Sequence, residues 1–167
     1  MAAPFKRLLI VYHSLTGGTQ QMADAAAAGA READDIEVVV KRAGEAQPQD
    51  VTAADGFVFA TPENLAAMSG MLKDFFDRTY YEALDRLNGR PYAILICAGS
   101  DGRSAAQQIE RIATGWRLKS IAEPFIVCTQ ATLPEQILKQ KVISAASLSR
   151  CKEIGKTIAS GMGLGIF

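Results

Sequence analysis

Residues 6–19 read Lys6-Arg7-Leu8-Leu9-Ile10-Val11-Tyr12-His13-Ser14-Leu15-Thr16-Gly17-Gly18-Thr19. The first eight form a continuous apolar run of the kind that sits in a strand buried on both faces. Hydroxyls then alternate at Ser14, Thr16 and Thr19 around the paired glycines Gly17 and Gly18. Behind them residues 19–33 are Ala-rich, with Met22, Ala26, Gly29, Ala30 and Ala33 at helical spacing. Small side chains let such a helix lie close on a sheet. Strand, glycine turn and helix make the opening of a βαβ unit.

The same grammar repeats along the chain. Apolar runs recur at residues 36–41, 56–60, 92–98 and 121–128, giving five strands with helical stretches between them, and hence a parallel sheet of α/β class. Residues 43–54 contain Pro48 and read as a loop with at most a short helix. In the next helix Met68, Met71, Leu72, Phe75 and Thr79 form an apolar stripe, with Lys73, Asp74, Asp77 and Arg78 opposite. Asp74 precedes Arg78 by four residues, the favourable ion-pair order. A third helix carries Ala105, Ile109, Ile112 and Trp116, with Gly115 near its end. The last is expected to start at Thr132-Leu133-Pro134-Glu135, with Thr132 as N-cap, and to bury Leu138, Val142, Ala145, Leu148 and Ile158.

Composition narrows the function classes. The 167 residues fit one domain, residues 1–167, without repeat or linker. Eighteen Lys and Arg balance eighteen Asp and Glu, which argues against a nucleic-acid partner and against the acidic surface of small electron carriers. No apolar run approaches the roughly 20 residues that span a bilayer. The start, Met1-Ala2-Ala3-Pro4-Phe5-Lys6-Arg7, leads into a strand without signal-peptide features, so a cytoplasmic address is expected. Cys97, Cys128 and Cys151 form no C-x-x-C pair, and His13 is the sole histidine, so no metal site is expected. Cys97 and Cys128 lie in apolar runs and read as buried small hydrophobes.

Ligands of open α/β sheets bind beyond the carboxyl ends of the strands, so the strand-to-helix loops carry the chemistry. Ser14, Thr16, Gly17, Gly18 and Thr19 make an anion cradle of hydroxyls and backbone N–H groups at a helix N-terminus, with no Lys or Arg of its own. Neither G-x-x-x-x-G-K-[ST] nor G-x-G-x-x-G is present at this loop. The same residue types also serve an ordinary capped helix.

At Ser14-x-Thr16-Gly17-x-Thr19 the chain resembles the FMN-phosphate loop of the flavodoxin-like superfamily. Residues 60–78, Ala-Thr-Pro-Glu-Asn-Leu-Ala-Ala-Met-Ser-Gly-Met-Leu-Lys-Asp-Phe-Phe-Asp-Arg, are similar to a long stretch of its NAD(P)H-dependent FMN reductases and quinone oxidoreductases, the tryptophan-repressor-binding-protein-like enzymes included. Residues 97–103, Cys-Ala-Gly-Ser-Asp-Gly-Arg, stand where that family closes a third loop on the flavin. The order of the three loops matches along nearly the whole chain, which is shorter than typical quinone oxidoreductases of this type. The resemblance implies a flavodoxin-like three-layer sandwich with a five-stranded parallel sheet in the order 2-1-3-4-5. It implies FMN held at the phosphate by Ser14, Leu15, Thr16, Gly17, Gly18 and Thr19. Thr61, Pro62, Glu63, Asn64, Leu65 and Met68 would lie along the ring and ribityl chain, with Gly99, Ser100, Asp101 and Gly102 on the other side.

Flavodoxins usually sandwich the ring between aromatic side chains, and both ring-facing loops here lack Trp and Tyr. An open ring suits NAD(P)H as donor and a quinone or flavin as acceptor, in a two-electron ping-pong cycle that needs no catalytic side chain. A one-electron flavodoxin and a flavin-free partner-binding module are the alternatives. Phe75, Phe76, Tyr80 and Tyr81 exceed what one helix face buries, so a homodimer or higher homo-oligomer is an expectation. His13 is expected to support the loop, Tyr80, Tyr81 and Trp116 to pack helices, and Arg103 and Arg117 to be solvated. The glycines of Gly161-Met162-Gly163-Leu164-Gly165 follow a helix and read as tail.

Overall fold

In the computed structural model, which describes residues 5–167, β1 (Lys6–Tyr12) runs between β2 (Ile36–Arg42) and β3 (Gly56–Asn64), parallel to both. Leu8, Ile10 and Tyr12 point into one layer of core, Leu9 and Val11 into the other. This two-sided burial is why the run shows no polar alternation. Residues 1–4, part of the stretch from which an address was read, lie outside the described residues.

β5 (Pro91–Ala98), buried throughout, pairs with β3 on its far side. The fifth position of the sheet is shared by β6 (Lys119–Ser120) and β7 (Phe125–Cys128), both parallel to β5. The expected order 2-1-3-4-5 is therefore present, with its last strand broken. The break falls at Ala122-Glu123-Pro124, where proline supplies no N–H to the ladder. β7 is shorter than the run 121–128 for that reason, and Cys128, expected to be buried, lies exposed at its end.

The helices α1 (Gly18–Ala30) and α6 (Ala145–Gly163) cover one face. They cross closely: a Cβ at Gly29 would stand 1.9 Å from the Lys152 carbonyl oxygen, and one at Gly155 equally close to that of Ala26. The small residues of α1 thus serve contact with another helix as well as with the sheet. The other face carries α2 (Pro48–Ala53), α3 (Gly70–Ala83) and α4 (Arg103–Gly115) over an aromatic core. Phe57, Phe59, Phe75, Phe76 and Trp116 are fully buried there, and each would cost about 3–5 kcal/mol on truncation to Ala. The Trp116 ring stacks on Tyr80 at 5.6 Å and its indole N–H donates to the Tyr80 carbonyl.

Three expectations are corrected. Phe75 and Phe76 belong to the core, so of the aromatic cluster read as a partner surface only Tyr81 is largely exposed. Met71, placed in the buried stripe, is exposed: the buried face of α3 is Leu72, Phe75, Phe76 and Thr79, and Met71 lies beside it. The last helix does not start at Thr132. A single turn, α5 (Pro134–Ile137), is followed by irregular chain and by a fresh start at Ala145 with Ser144 as N-cap. Leu138 and Val142 are 69% and 89% exposed, and the Gln136 side chain, not Glu135, accepts from the backbone N–H groups of Thr132 and Leu133.

Candidate functional site

Three loops meet at the carboxyl ends of β1, β3 and β5. The His13 N–H donates to the Ala60 carbonyl (3.1 Å), and Pro62 lies opposite Cys97 in the parallel register. The site residues expected from sequence therefore come from adjacent strands at one end of the sheet. The glycine-rich tail does not: Met162 packs on Gly56 at the opposite end, and the last turn of α6 closes there.

The first loop turns on Gly17, whose φ of +87° is a left-handed conformation open to glycine at no steric cost. The Ser14 hydroxyl accepts from the Gly17 N–H (3.1 Å), setting the turn. Gly18 is glycine for another reason: its Cβ would stand 2.6 Å from Cys97 Sγ. α1 then starts with no side-chain cap and no acidic residue in its first turn. Its leading N–H groups and the positive end of its dipole are left for a ligand, which fits a phosphate. Thr19 is buried, Thr16 half-buried, and Leu15 points outward.

The second loop is a two-residue hairpin between β3 and β4 (Ala67–Met68), in which Asn64 pairs with Ala67. Its central residues, Leu65 and Ala66, both have positive φ, 49° and 60°, in the type I′ arrangement that ordinarily favours Asn and Gly. At the tip of this hairpin the Leu65 side chain is fully exposed. The hairpin is braced from below. The Thr61 hydroxyl accepts from the Ser69 N–H and the Gln108 side chain from the Met68 N–H. Thr61 and Met68 face inward, leaving Pro62, Asn64, Leu65 and Ala66 as the accessible part.

Glu63 reaches across to the third loop. Its carboxylate accepts from the N–H groups of Gly102 (2.9 Å) and Ala105 (3.3 Å), filling the N-terminus of α4. In the third loop Gly99 passes under the Ala131 carbonyl, Ser100 and Asp101 are exposed, and Gly102 is left-handed at φ +90°. Asp101 pairs with Arg103, whose hydrogen bonds hold its carboxyl below the usual range; Arg117 pairs with Asp85. Both arginines are solvated.

Much of the long stretch 60–78 is scaffold. Ser69 caps α3 by accepting from the Leu72 N–H, and Arg78, paired with Asp74, donates to the carbonyls of Ala43 and Ala46. Three further titratable groups are wholly or partly buried: His13, Cys97 and Cys151. His13 is pushed below its ordinary pKa by burial and by Arg42, and its Nδ1 has no partner among the described residues. Burial raises the Cys97 thiol and pushes that of Cys151 up to about 12, so neither is a thiolate at neutral pH. Among the described residues no cluster could hold a metal ion, and no helix is long and apolar enough to cross a membrane.

Sequence reasoning missed one wall. Residues 129–144 form an arm that runs from the third loop back to the first. The N–H groups of Thr129 and Gln130 donate to the Ala98 and Gly99 carbonyls, and that of Lys141 to the Thr16 carbonyl (2.8 Å). Gln21 of α1 locks the junction by donating to the Gly17 and Lys141 carbonyls and accepting from the Ile143 N–H. No local pattern marks this partnership, whose members lie about 120 residues apart.

Among solved structures the chain is similar to a flavodoxin from an archaeon, with TM-score 0.77 and 18% identity over 94% of this chain and 99% of that one. A WrbA-like flavodoxin from Agrobacterium tumefaciens gives TM-score 0.72 and 17% identity over 95% and 98%. At these identities the likeness is one of fold. Two curated relatives are an NAD(P)H dehydrogenase (quinone) of Acidithiobacillus ferrooxidans, 38% identical over 44% of this chain and 46% of that protein, and a flavodoxin of Aquifex aeolicus, 34% identical over 50% and 45%. The chain spans about half the length of these curated relatives. The family model for NADPH-dependent FMN reductase matches residues 41–132, which include the second and third loops but not the first. With more than half of its residues so matched on a flavodoxin-like fold, the chain belongs to the NADPH-dependent FMN reductase family of FMN-binding oxidoreductases.

Proposed function

We propose that the three loops hold FMN and that the chain is an NAD(P)H-dependent oxidoreductase delivering two electrons to a quinone or a free flavin. The observation that carries the reading is the uncapped start of α1 behind the left-handed Gly17, at the end of the sheet where the second and third loops converge. Ser14, Thr16, Gly17, Gly18 and Thr19 would bind the phosphate through N–H and hydroxyl groups; Leu15 would flank it. Pro62, Asn64 and Leu65 would lie along one edge of the ring, with Gly99, Ser100 and Asp101 along the other. Thr61, Glu63, Met68 and Gly102 would hold those loops in place.

FMN, when bound, supplies the hydride chemistry, and the protein supplies position and electrostatics. Third-loop N–H groups other than that of Gly102, which Glu63 engages, would favour negative charge on the ring edge. Both ring-facing loops offer aliphatic, polar and glycine contacts without an aromatic cover. That leaves a face on which a nicotinamide can stack within the ~3–3.5 Å needed for transfer. No acid or base of the chain is required; burial and then Arg42 lower the His13 pKa, which favours its neutral form. The quinone named for the Acidithiobacillus relative makes a quinone the first acceptor to try.

The test is anaerobic mixing of the FMN-loaded protein with NADH or NADPH in a stopped-flow spectrometer. Bleaching of the yellow absorbance within seconds, and its return on adding a quinone, is the expected result. If neither nucleotide bleaches the protein over minutes while dithionite does, the chain is an electron carrier and not a reductase.

A further inference from the structure

The first loop has no cation of its own, yet one is delivered to it. The Lys141 ammonium stands 3.5 Å from Thr16 Oγ1, while the Lys141 N–H is bonded to the Thr16 carbonyl. Its present partners are three carbonyl oxygens of the arm, those of Gln136 (3.0 Å), Ile137 (2.8 Å) and Lys139 (2.6 Å). These are dipoles only. Among the described residues no carboxylate pairs with Lys141, whereas Lys41, Lys73, Lys152 and Lys156 each have one. Gln140, the preceding residue, places its amide nitrogen 2.9 Å from where a Gly17 Cβ would be, over the face of the turn. A full positive charge without a counter-ion is thus fixed beside an uncapped helix start.

Resting on the FMN reading above, we propose that Lys141 is the phosphate-selecting residue of the site, and that the arm 129–144 exists to bring it there. The N–H groups and hydroxyls of residues 14–19 give the phosphate its hydrogen bonds; the arm supplies the charge. Three features make the placement rigid: the Lys141 backbone bond to Thr16, the Gln21 clamp, and the Ile143 side chain buried behind it. The carbonyls orient the ammonium without neutralising it, so its charge is available to a dianion at the loop. Selectivity for a phosphorylated flavin over riboflavin would then depend on a residue remote in sequence from the phosphate loop.

Flavin fluorescence titrations of the intact protein, the Lys141→Met variant and the Lys141→Arg variant, each with FMN and with riboflavin, test this. Loss of the uncompensated charge beside the phosphate should weaken FMN binding by about tenfold or more in Lys141→Met. Riboflavin binding should change by less than about twofold, since it carries no phosphate and reports on the folded arm and ring site. Lys141→Arg should recover most of the loss, and the salt dependence of FMN binding should be shallower in Lys141→Met than in the unaltered chain. Unchanged FMN affinity in Lys141→Met, or equal losses for FMN and riboflavin, would overturn the proposal and leave the ammonium a structural cap of the arm. An unaltered protein that binds neither flavin, or both equally, would instead overturn the FMN cradle, and the proposal with it.

Discussion

Two helices start at the same end of the sheet, and they start alike. α1 follows Gly17 at φ 87°, ψ −12°; α4 follows Gly102 at φ 90°, ψ −15°. Neither has a side-chain cap from its N-cap residue or an acid in its first turn. They differ in what sits on them. The α4 start is filled by the Glu63 carboxylate from the second loop, and the α1 start is left open beside an ammonium. On α4 such a start accepts an anion, and on the FMN reading proposed above the α1 start would take the other. The closed start also locks the second and third loops together, so the proposed ring end would be preset before a phosphate meets the α1 start.

The largest effect should come from obstructing the open start. In Gly18→Val the new Cβ meets Cys97 Sγ at 2.6 Å and lies 3.2 Å from Lys141 Cβ, so the loop, the sheet and the arm must all give way. Overpacking of this kind costs about 1–3 kcal/mol of stability. FMN affinity should fall at least a hundredfold, beyond what one lost hydrogen bond explains, because the amides and Lys141 are displaced together. Calorimetry of FMN binding beside urea denaturation checks both; wild-type affinity in the variant would show that the open start is not the phosphate site.

Much of this was legible and some was not, for reasons that differ by residue. The β1 run and, Met71 apart, the apolar stripe of α3 are local patterns that burial writes, and the glycine turn is one that the left-handed φ of Gly17 writes. The role of Glu63 was readable only as a place near the ring; its work as a cap for α4 needs a contact 39 residues away in the chain. Residues 132–137 show how a correct local signal misleads. Pro134 does begin a helix, but it lasts one turn, because Lys141 gathers the carbonyls of its end and the Thr16 carbonyl draws the chain off toward α1. Tertiary bonds overrode the capping pattern there, as they override propensity generally.

The closed start offers the reciprocal experiment. Glu63→Ala leaves the N–H groups of Gly102 and Ala105 without a partner, a loss of about 1–3 kcal/mol for an acceptor that is ionised. With the second and third loops unlinked, FMN and riboflavin affinities should drop by the same factor, since the damage is confined to the ring end. Thermal unfolding and paired titrations read the two effects. A selective loss of FMN binding would mean that the two ends are not separate devices.

A smaller effect of opposite sign is expected at Ala66. Its φ of 60° is a left-handed conformation that costs an L-residue about 1–2 kcal/mol, so Ala66→Gly should stabilise the chain by up to about 1 kcal/mol after the entropy of the unfolded glycine is charged against it. The exposed Leu65 would then lose its fixed direction, and flavin affinity should decline slightly while stability rises. A destabilised Ala66→Gly would mean that the hairpin is not strained in solution.

The smallest effect separates the loop from its foundation. His13 lies between β1 and the open start, and its pKa is lowered from the ordinary value of about 6.5 first by burial and then by Arg42. The folded state therefore binds a proton less readily than the unfolded state. Above the unfolded value both states are neutral at His13 and its contribution to stability is fully present. As pH falls below about 6.5 the unfolded state protonates first, and the contribution is lost as pH drops toward and through the folded pKa. Urea denaturation at pH 8 and at pH 5.5 should show a loss of stability on acidification that is smaller in His13→Gln, which cannot titrate. Because His13 Nδ1 has no partner among the described residues, the substitution should cost little at pH 8. Equal acid losses in the two proteins would place the pH dependence in the carboxylates and leave His13 a neutral support for the phosphate end.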